Sequence, residues 1–318
     1  MISRGVEISI AGGVEEMVRV STKRPFPTYT YNKASSTLTI QCSPSPIHKK
    51  AISLISTGFI LARDALSDDI QSKIDIVTNE KFDNFHGRYS GSEKIPDLAI
   101  QVANNFGVSE PRFILEVGLS ETYEKLVQDA ELWLYGSRTV NIVMLIKLQE
   151  DPSYSCPTRD LTDSEFKALG FPLKEEINEE CFVVTGEYGP ARYKDLIWVG
   201  GITGFVELWG IDEASGVASA KGDPGRINLL NADKCRESID KHVSMSNFVA
   251  GNEDPIHFNW GTYLKNLKRF IKQLAASRCR TTLKDRDERT NAADYDFVPP
   301  SPASSFSSVL SSSPMSSP

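Results

Sequence analysis

Two carboxylates set in apolar company are the residues whose types and spacing could do chemistry. Asp97 stands in Ile95-Pro96-Asp97-Leu98-Ala99-Ile100, and Glu116 in Phe113-Ile114-Leu115-Glu116-Val117-Gly118, just ahead of a helical stretch. Between them Asn104, Asn105, Gly107 and Pro111 are turn formers, so the pattern predicts two neighbouring strands paired as a hairpin. An Asp and a Glu converging from adjacent strands supply hard oxygen ligands of the kind Mg²⁺ prefers, and leave coordination positions for water and a phosphate oxygen. The chemistry of such a pair is metal-dependent cleavage of a phosphodiester. Strand alternation by itself also turns polar residues outward, so taken alone the pair reads first as two strand-end carboxylates facing solvent.

The elements around the pair must position it. Thr28 to Tyr31 and Thr37 to Gln41 read as two short strands joined by the turn-rich Asn32-Lys33-Ala34-Ser35-Ser36. Ser43-Pro44-Ser45-Pro46 breaks the chain, and Ile47 to Leu66 then carries Ile47, Ala51, Leu54, Ile55, Phe59 and Ala62 at helical spacing. Ser67 to Asn79 reads as a helical or irregular extension, and the aromatic segment Phe82 to Tyr89 as the first strand before the carboxylate pair. Ser120 and Glu121 open a helix to Tyr135 that puts Tyr123, Leu126, Ala130, Trp133 and Leu134 on one face, ended by Gly136-Ser137. Val140 to Leu148 is nearly all apolar, as a strand buried on both faces at the centre of a sheet would be. Helix, three strands, helix and strand in that order make an α/β sheet.

Beyond this core, residues 151–180 read as a polar linker or insertion with a short helix from Thr162 to Leu169. Cys181 to Thr185, Ile197 to Ile211 and Gly216 to Leu230 make a strand-rich extension. Pro255 to Ala276 is an amphipathic helix whose basic face is Lys265, Lys268, Arg269 and Lys272. Arg278 to Arg289 is densely charged and reads as a solvated extension of that helix, with contact to nucleic acid or an import receptor as the alternative, and the Ser- and Pro-rich remainder cannot bury enough apolar surface to order itself. The expected organisation is an arm over 1–26, a core over 27–150, a linker over 151–180, an extension and amphipathic helix over 181–277, and a charged, then disordered, tail over 278–318.

The chain has 318 residues, 40% of them hydrophobic, enough for a substantial core, and its net charge of −7 argues against a surface wholly devoted to nucleic acid while permitting a local basic cleft. Five scattered cysteines without a CxxC pair read as reduced thiols of an intracellular protein, in cytoplasm or nucleus. Met1 to Val20 carries Glu7, Glu15 and Glu16 and no long apolar core, so no signal peptide is expected, nor a membrane span anywhere. No GxGxxG, Walker loop, HExxH or GxSxG is present, which leaves nucleotide-cofactor and serine-hydrolase chemistry without support.

Pro44-Ser45-Pro46-Ile47-His48 after a hairpin, Pro96-Asp97, Glu116-Val117-Gly118-Leu119-Ser120 and a helix ending near Trp133 together resemble the PD-(D/E)XK nuclease superfamily. The likeness is greatest to its restriction-endonuclease branch common in cyanobacteria and to similar uncharacterised fungal proteins, and it spans residues 27–148. The resemblance implies a restriction-endonuclease-like α/β core in which Asp97 and Glu116 hold Mg²⁺, or Mn²⁺ in its place. The metal then activates water while a lysine steadies hydroxide or phosphate. It also implies DNA as partner, with a homodimer as the assembly that cuts two strands. The chain departs from the motif at Gly118, which stands where the lysine belongs. Lys125 on the following helix is taken as its catalytic replacement, with Lys147 on the buried strand as the other candidate, one that would need a carboxylate partner. His48 could touch phosphate or simply cap and pack, and His86 is similarly ambiguous. Trp133 and Trp209 read as core, and Glu207 as alternating outward. The rival reading is a non-catalytic binding or scaffold protein that kept the fold and lost the lysine.

Overall fold

The computed structural model describes residues 6–9, 28–41 and 44–291. Most of the arm, Cys42 and the Ser- and Pro-rich tail expected to be disordered lie outside the described residues. Strands β1 (Val6–Ser9), β2 (Thr28–Asn32) and β3 (Thr37–Gln41) form a small antiparallel sheet in the order β1-β3-β2. Helix α1 (Pro46–Asp64) starts where proline breaks the chain, because Pro46 cannot donate and the Ser45 hydroxyl accepts the His48 amide at 3.2 Å. It buries Ile47, Ala51, Ile55, Gly58 and Phe59.

After α1 come α2 (Asp68–Gln71), β4 (Ile74–Val77), β5 (Leu98–Ala103), β6 (Ser109–Gly118), α3 (Tyr123–Gly136) and β7 (Ile142–Asp151). The second half adds α4 (Asp163–Ala168), β8 (Val183–Val184), β9 (Ala191–Tyr193), β10 (Leu196–Val199), β11 (Gly201–Ile211), β12 (Ala218–Asn228), α5 (Ala232–His242) and α6 (Trp260–Asn291). A six-stranded mixed sheet runs in the order β12-β11-β7-β6-β5-β4, and β8, β9 and β10 form a small sheet of their own. In the large sheet only β6 and β7 run parallel, which is why a helix, α3, has to connect them.

Residues Ile142 to Leu148 are buried without a break, as a central strand covered on both faces requires, with each buried Val, Ile or Leu contributing about 1.5–3 kcal/mol. Side chains of one parity, including Leu98, Leu115 and Met144, join the core shared with α1 and α6. Those of the other parity, including Ala99, Ile114, Val143 and Leu145, pack with Trp133 and Leu126 of α3.

Four expectations change. The strand before the carboxylate pair is β4, not Phe82 to Tyr89. Those aromatics sit instead on a loop with a 3₁₀ turn at Gly87–Tyr89, where Phe82 and Phe85 meet the Trp133 ring edge-on. The longer strands of the extension, β11 and β12, are part of the central sheet, because β11 pairs with β7 from Gly201↔Asp151 to Trp209↔Val143, while β8 and β10 stay in the small sheet. The last helix starts at Trp260, not Pro255, and extends through the charged run to Asn291, as a helical extension was expected to. That run is anchored: Arg278 grips both oxygens of Glu150 at 2.6 and 2.8 Å, and Arg280 donates to the Ile177 carbonyl at 2.7 Å. The linker does contain its helix, opened by a reciprocal cap between Thr162 and Glu165. Cys156, Cys181, Cys235 and Cys279 are free thiols.

Candidate functional site

Charged side chains gather where β6 ends and α1 and α3 begin. The β5–β6 ladder closes on the pair Leu98↔Leu115, so the same register carried one step further sets Asp97 across from Glu116. Asp97 ends the ladder with its side chain: Oδ2 accepts the Val117 amide at 2.7 Å. The same oxygen lies 3.2 Å from Nε2 of His48 in the first turn of α1. Burial by itself would lower the His48 pKa, but the charge and hydrogen bond of Asp97 outweigh it and hold the imidazole above its usual value.

Glu116 points to the α3 side and is 3% exposed. Its Oε1 accepts the Trp133 indole N–H at 2.8 Å and lies 3.4 Å from the Lys94 ammonium. Lys94, itself 2% exposed, is closer still to Asp129 Oδ2, at 2.7 Å, and Lys125 reaches Asp129 Oδ1 at 3.2 Å. Lys125, Asp129 and Trp133 are spaced by four and so project from one face of α3 toward β6. Burial drives the Glu116 pKa well up, with the Asp129 and Asp97 charges adding to it and Lys94 opposing. Glu121, just before α3, is pushed up to about 7, by burial first and then by Asp129. Burial works against the charge of Asp129 too, yet its two lysines win and hold its pKa below the usual value. Lys94 likewise overcomes its desolvation through Asp129 and Glu116 and stays charged. The cluster therefore has a sealed floor of Lys94, Glu116 and Asp129 and a more accessible rim of His48, Asp97, Glu121 and Lys125.

Of the residues singled out in the sequence, Asp97, Glu116 and Lys125 belong to this one cluster, but Lys125 pairs with Asp129, and Lys94 is the lysine at Glu116. At Gly118 a β-carbon would come 2.8 Å from Cδ1 of Leu126, so α3 fills the place of a side chain there. Lys147 is 6% exposed and donates to two backbone carbonyls, Leu119 at 3.1 Å and Leu148 at 2.8 Å, in place of the carboxylate partner it was expected to need. Burial lowers its pKa. Glu207 turns inward: 2% exposed, it accepts from Tyr123 and Trp209, both at 2.8 Å, and from Arg226 at 2.8 Å. Trp133 is core and site at once, and His86 lies in the loop, its amide bonded to the Gly136 carbonyl.

Lys94, Asp129 and Glu121 escaped the sequence reading. Asp129 carried a signal, a carboxylate four residues from Lys125 and from Trp133 on the buried side of a helix. Lys94, in the polar stretch before Pro96, carried none that separates it from a solvated lysine. In chemical terms the cluster offers hard oxygens, a fixed ammonium and a histidine. Mg²⁺ keeps several waters and needs only one or two carboxylates, so the more accessible Asp97 and Glu121 are donors that suit one, while Glu116 is already engaged by Lys94 and Trp133. Among the described residues no group of three or more His, Cys, Asp or Glu side chains is placed to enclose a metal ion, and no helix is long and apolar enough to cross a membrane. Compared with protein-family models, with curated proteins and with solved structures, the chain matches none.

Proposed function

We propose that the cluster is a divalent-cation-dependent phosphodiesterase site on a restriction-endonuclease-like core, with DNA as the substrate class. The observation that carries this reading is the cluster itself: Asp97 caps the β5–β6 ladder on the Val117 amide, next in sequence to Glu116, whose Oε1 lies 3.4 Å from the Lys94 ammonium. The order α1, α2, β4, β5, β6, α3 and β7, with β4, β5 and β6 antiparallel and β7 parallel to β6 across α3, supports the reading.

Asp97 and Glu116 would hold Mg²⁺ or Mn²⁺, which supplies Lewis-acid polarisation of the phosphoryl oxygen and an acidified water. The reaction adds water across one P–O ester bond, giving a phosphomonoester and an alcohol. Val117 and His48 fix the Asp97 carboxylate, and the Trp133 indole fixes Glu116 Oε1. Lys94 holds positive charge beside Glu116, taking in electrostatics the part that Gly118 cannot. Lys125 ties Asp129 down so that Lys94 is shared between two carboxylates.

One observation favours a second reading, a binding protein that kept this core and lost the chemistry: Glu116 is closed over by Lys94 and Trp133, and Leu126 fills the space beside Gly118. Titration calorimetry with MgCl₂ and MnCl₂ separates the two. Heat of binding in the wild type that disappears in both Asp97→Asn and Glu116→Gln supports the cation site; a wild type that binds neither metal leaves only the second reading.

A further inference from the structure

We infer that the face shared by α6 and the first turns of α1 is a docking surface for the phosphate backbone of a nucleic acid. The two helices pack antiparallel. Gly58 of α1 lies against Phe258, just before α6, while the Lys50 ammonium sits 5.9 Å above the Phe270 ring. The Arg269 guanidinium lies 5.5 Å from the same ring, so cations from both helices meet over one aromatic side chain. Lys265, Lys268 and Arg269 occupy one exposed stripe of α6, the opposite side from buried Tyr263, Leu267, Ile271 and Leu274. Lys49 and Lys50 are exposed beside them. Among the described residues none of these five forms an ion pair, whereas Lys272, further along the stripe, is held by Glu180 at 3.5 Å.

The composition of the two helices sharpens this. The protein has 42 acidic residues and a net charge of −7, yet no Asp or Glu occurs from Pro46 to Arg63 or from Trp260 to Lys284. A merely solvated face in so acidic a chain would interleave both signs; within these two stretches the helices carry no acid, acids returning only at Asp64, at Asp285 and, from a neighbouring turn, at Glu180 beside Lys272, which is charge complementarity to a polyanion. The track also leads to the candidate site, since Lys49 and Lys50 directly follow His48, whose imidazole touches Asp97. A lipid surface fits less well, because membrane-surface helices add an apolar face to their basic one. The exposed large hydrophobics include none from α6, and from α1 only Ile60 and Leu61, in its last turns and two or more turns beyond Lys49 and Lys50. The surface goes beyond the cleavage reading and needs no cation, so it serves either reading of the cluster.

The test is fluorescence anisotropy of a labelled DNA duplex and of its single strand with the full chain, in EDTA, over a salt series. With about −0.9 in log K against log salt per phosphate neutralised on duplex DNA, the wild type should show a slope near −3 or steeper. Reversing Lys49, Lys50, Lys268 and Arg269 to Glu should weaken binding at least about tenfold and flatten the slope by about 2 or more. Circular dichroism checks the fold, and the same four positions changed to Gln give a milder variant if the reversed one fails it. Unchanged affinity and slope in a folded variant overturn the proposal. So does a wild type that binds neither DNA form in EDTA, or one captured by phosphatidylserine vesicles and not by DNA. DNA binding that is lost with the charges while calorimetry finds no metal would keep this surface and dismiss the cation site. Metal binding without DNA binding would do the reverse.

Discussion

Lys94 is the residue on which the charged cluster balances. Among the described residues it is the one cation paired with both Glu116 and Asp129, and all three are almost completely buried. Removing one partner from a buried ionic group strands the others in low dielectric, so Lys94→Met should cost about 3–5 kcal/mol in urea unfolding. Wild-type stability in that variant would mean that the carboxylates do not depend on the ammonium. Glu121 gives the cluster a pH dependence of definite sign. Its folded pKa of about 7 lies above the ordinary 4.5, chiefly because burial disfavours the charged form. Between those values the folded state holds a proton that the unfolded state has released, so stability from this group is complete below pH 4.5 and is lost as pH rises through 7. The loss is up to about 3 kcal/mol. Urea melts across that range in EDTA should show the decline in the wild type and a flatter profile in Glu121→Gln; parallel profiles would place the proton elsewhere.

Helix α3 shows how one element serves core and site together. Leu126, Ala130 and Trp133 pack on the sheet while Lys125 and Asp129 reach the charged floor, so a helix chosen for its apolar stripe also delivers the cluster. Gly118→Ala should set a β-carbon against the Leu126 side chain and cost about 1–3 kcal/mol. A thermal melt unchanged from wild type would show that Leu126 can move aside, and that the place of a motif lysine is less firmly filled. The same double use explains what the sequence made legible. Asp97 and Glu116 stood out because they interrupt apolar strand runs, and α1, α3 and β7 followed from periodicity and caps. Strand β4 did not, since Ile74–Val77 is four residues at a sheet edge, too short for alternation to register. Phe82 and Phe85 looked like strand residues because they are aromatics in a short segment, but they pack on Trp133 from a loop, Phe85 buried and Phe82 partly so. Glu207 looked solvent-facing because alternation cannot tell an open face from one covered by α3, and only the three-dimensional partners Tyr123, Trp209 and Arg226 account for it.

The sheet is assembled from both halves of the chain, and that decides what can fold. β7 is held on one side by β6 and on the other by β11, some fifty residues later, and the core beneath it is completed by α6. The distant half also steadies the site. Tyr123 at the start of α3 donates to Glu207 on β11 at 2.8 Å, Arg226 of β12 lies 4.6 Å from the Tyr123 ring, and Arg278 of α6 clamps Glu150 at the end of β7. A core ending at residue 151 would expose the full hydrogen-bonding edge of a strand whose side chains are apolar on both faces, the arrangement that templates aggregation. A fragment of residues 28–151 should therefore show no cooperative thermal transition and should bind ANS or precipitate, while residues 28–291 melt in a single transition. Changing Arg278 to Ala in the longer chain should remove about 3–5 kcal/mol, the cost of leaving Glu150 buried without its partner. Arg278→Lys should restore little of this, because lysine can neither span both Glu150 oxygens nor stack on Tyr154 as the guanidinium does at 3.9 Å. A cooperative melt from the short fragment would instead make the first half a domain in its own right, with the later strands and α6 as additions to a site already complete.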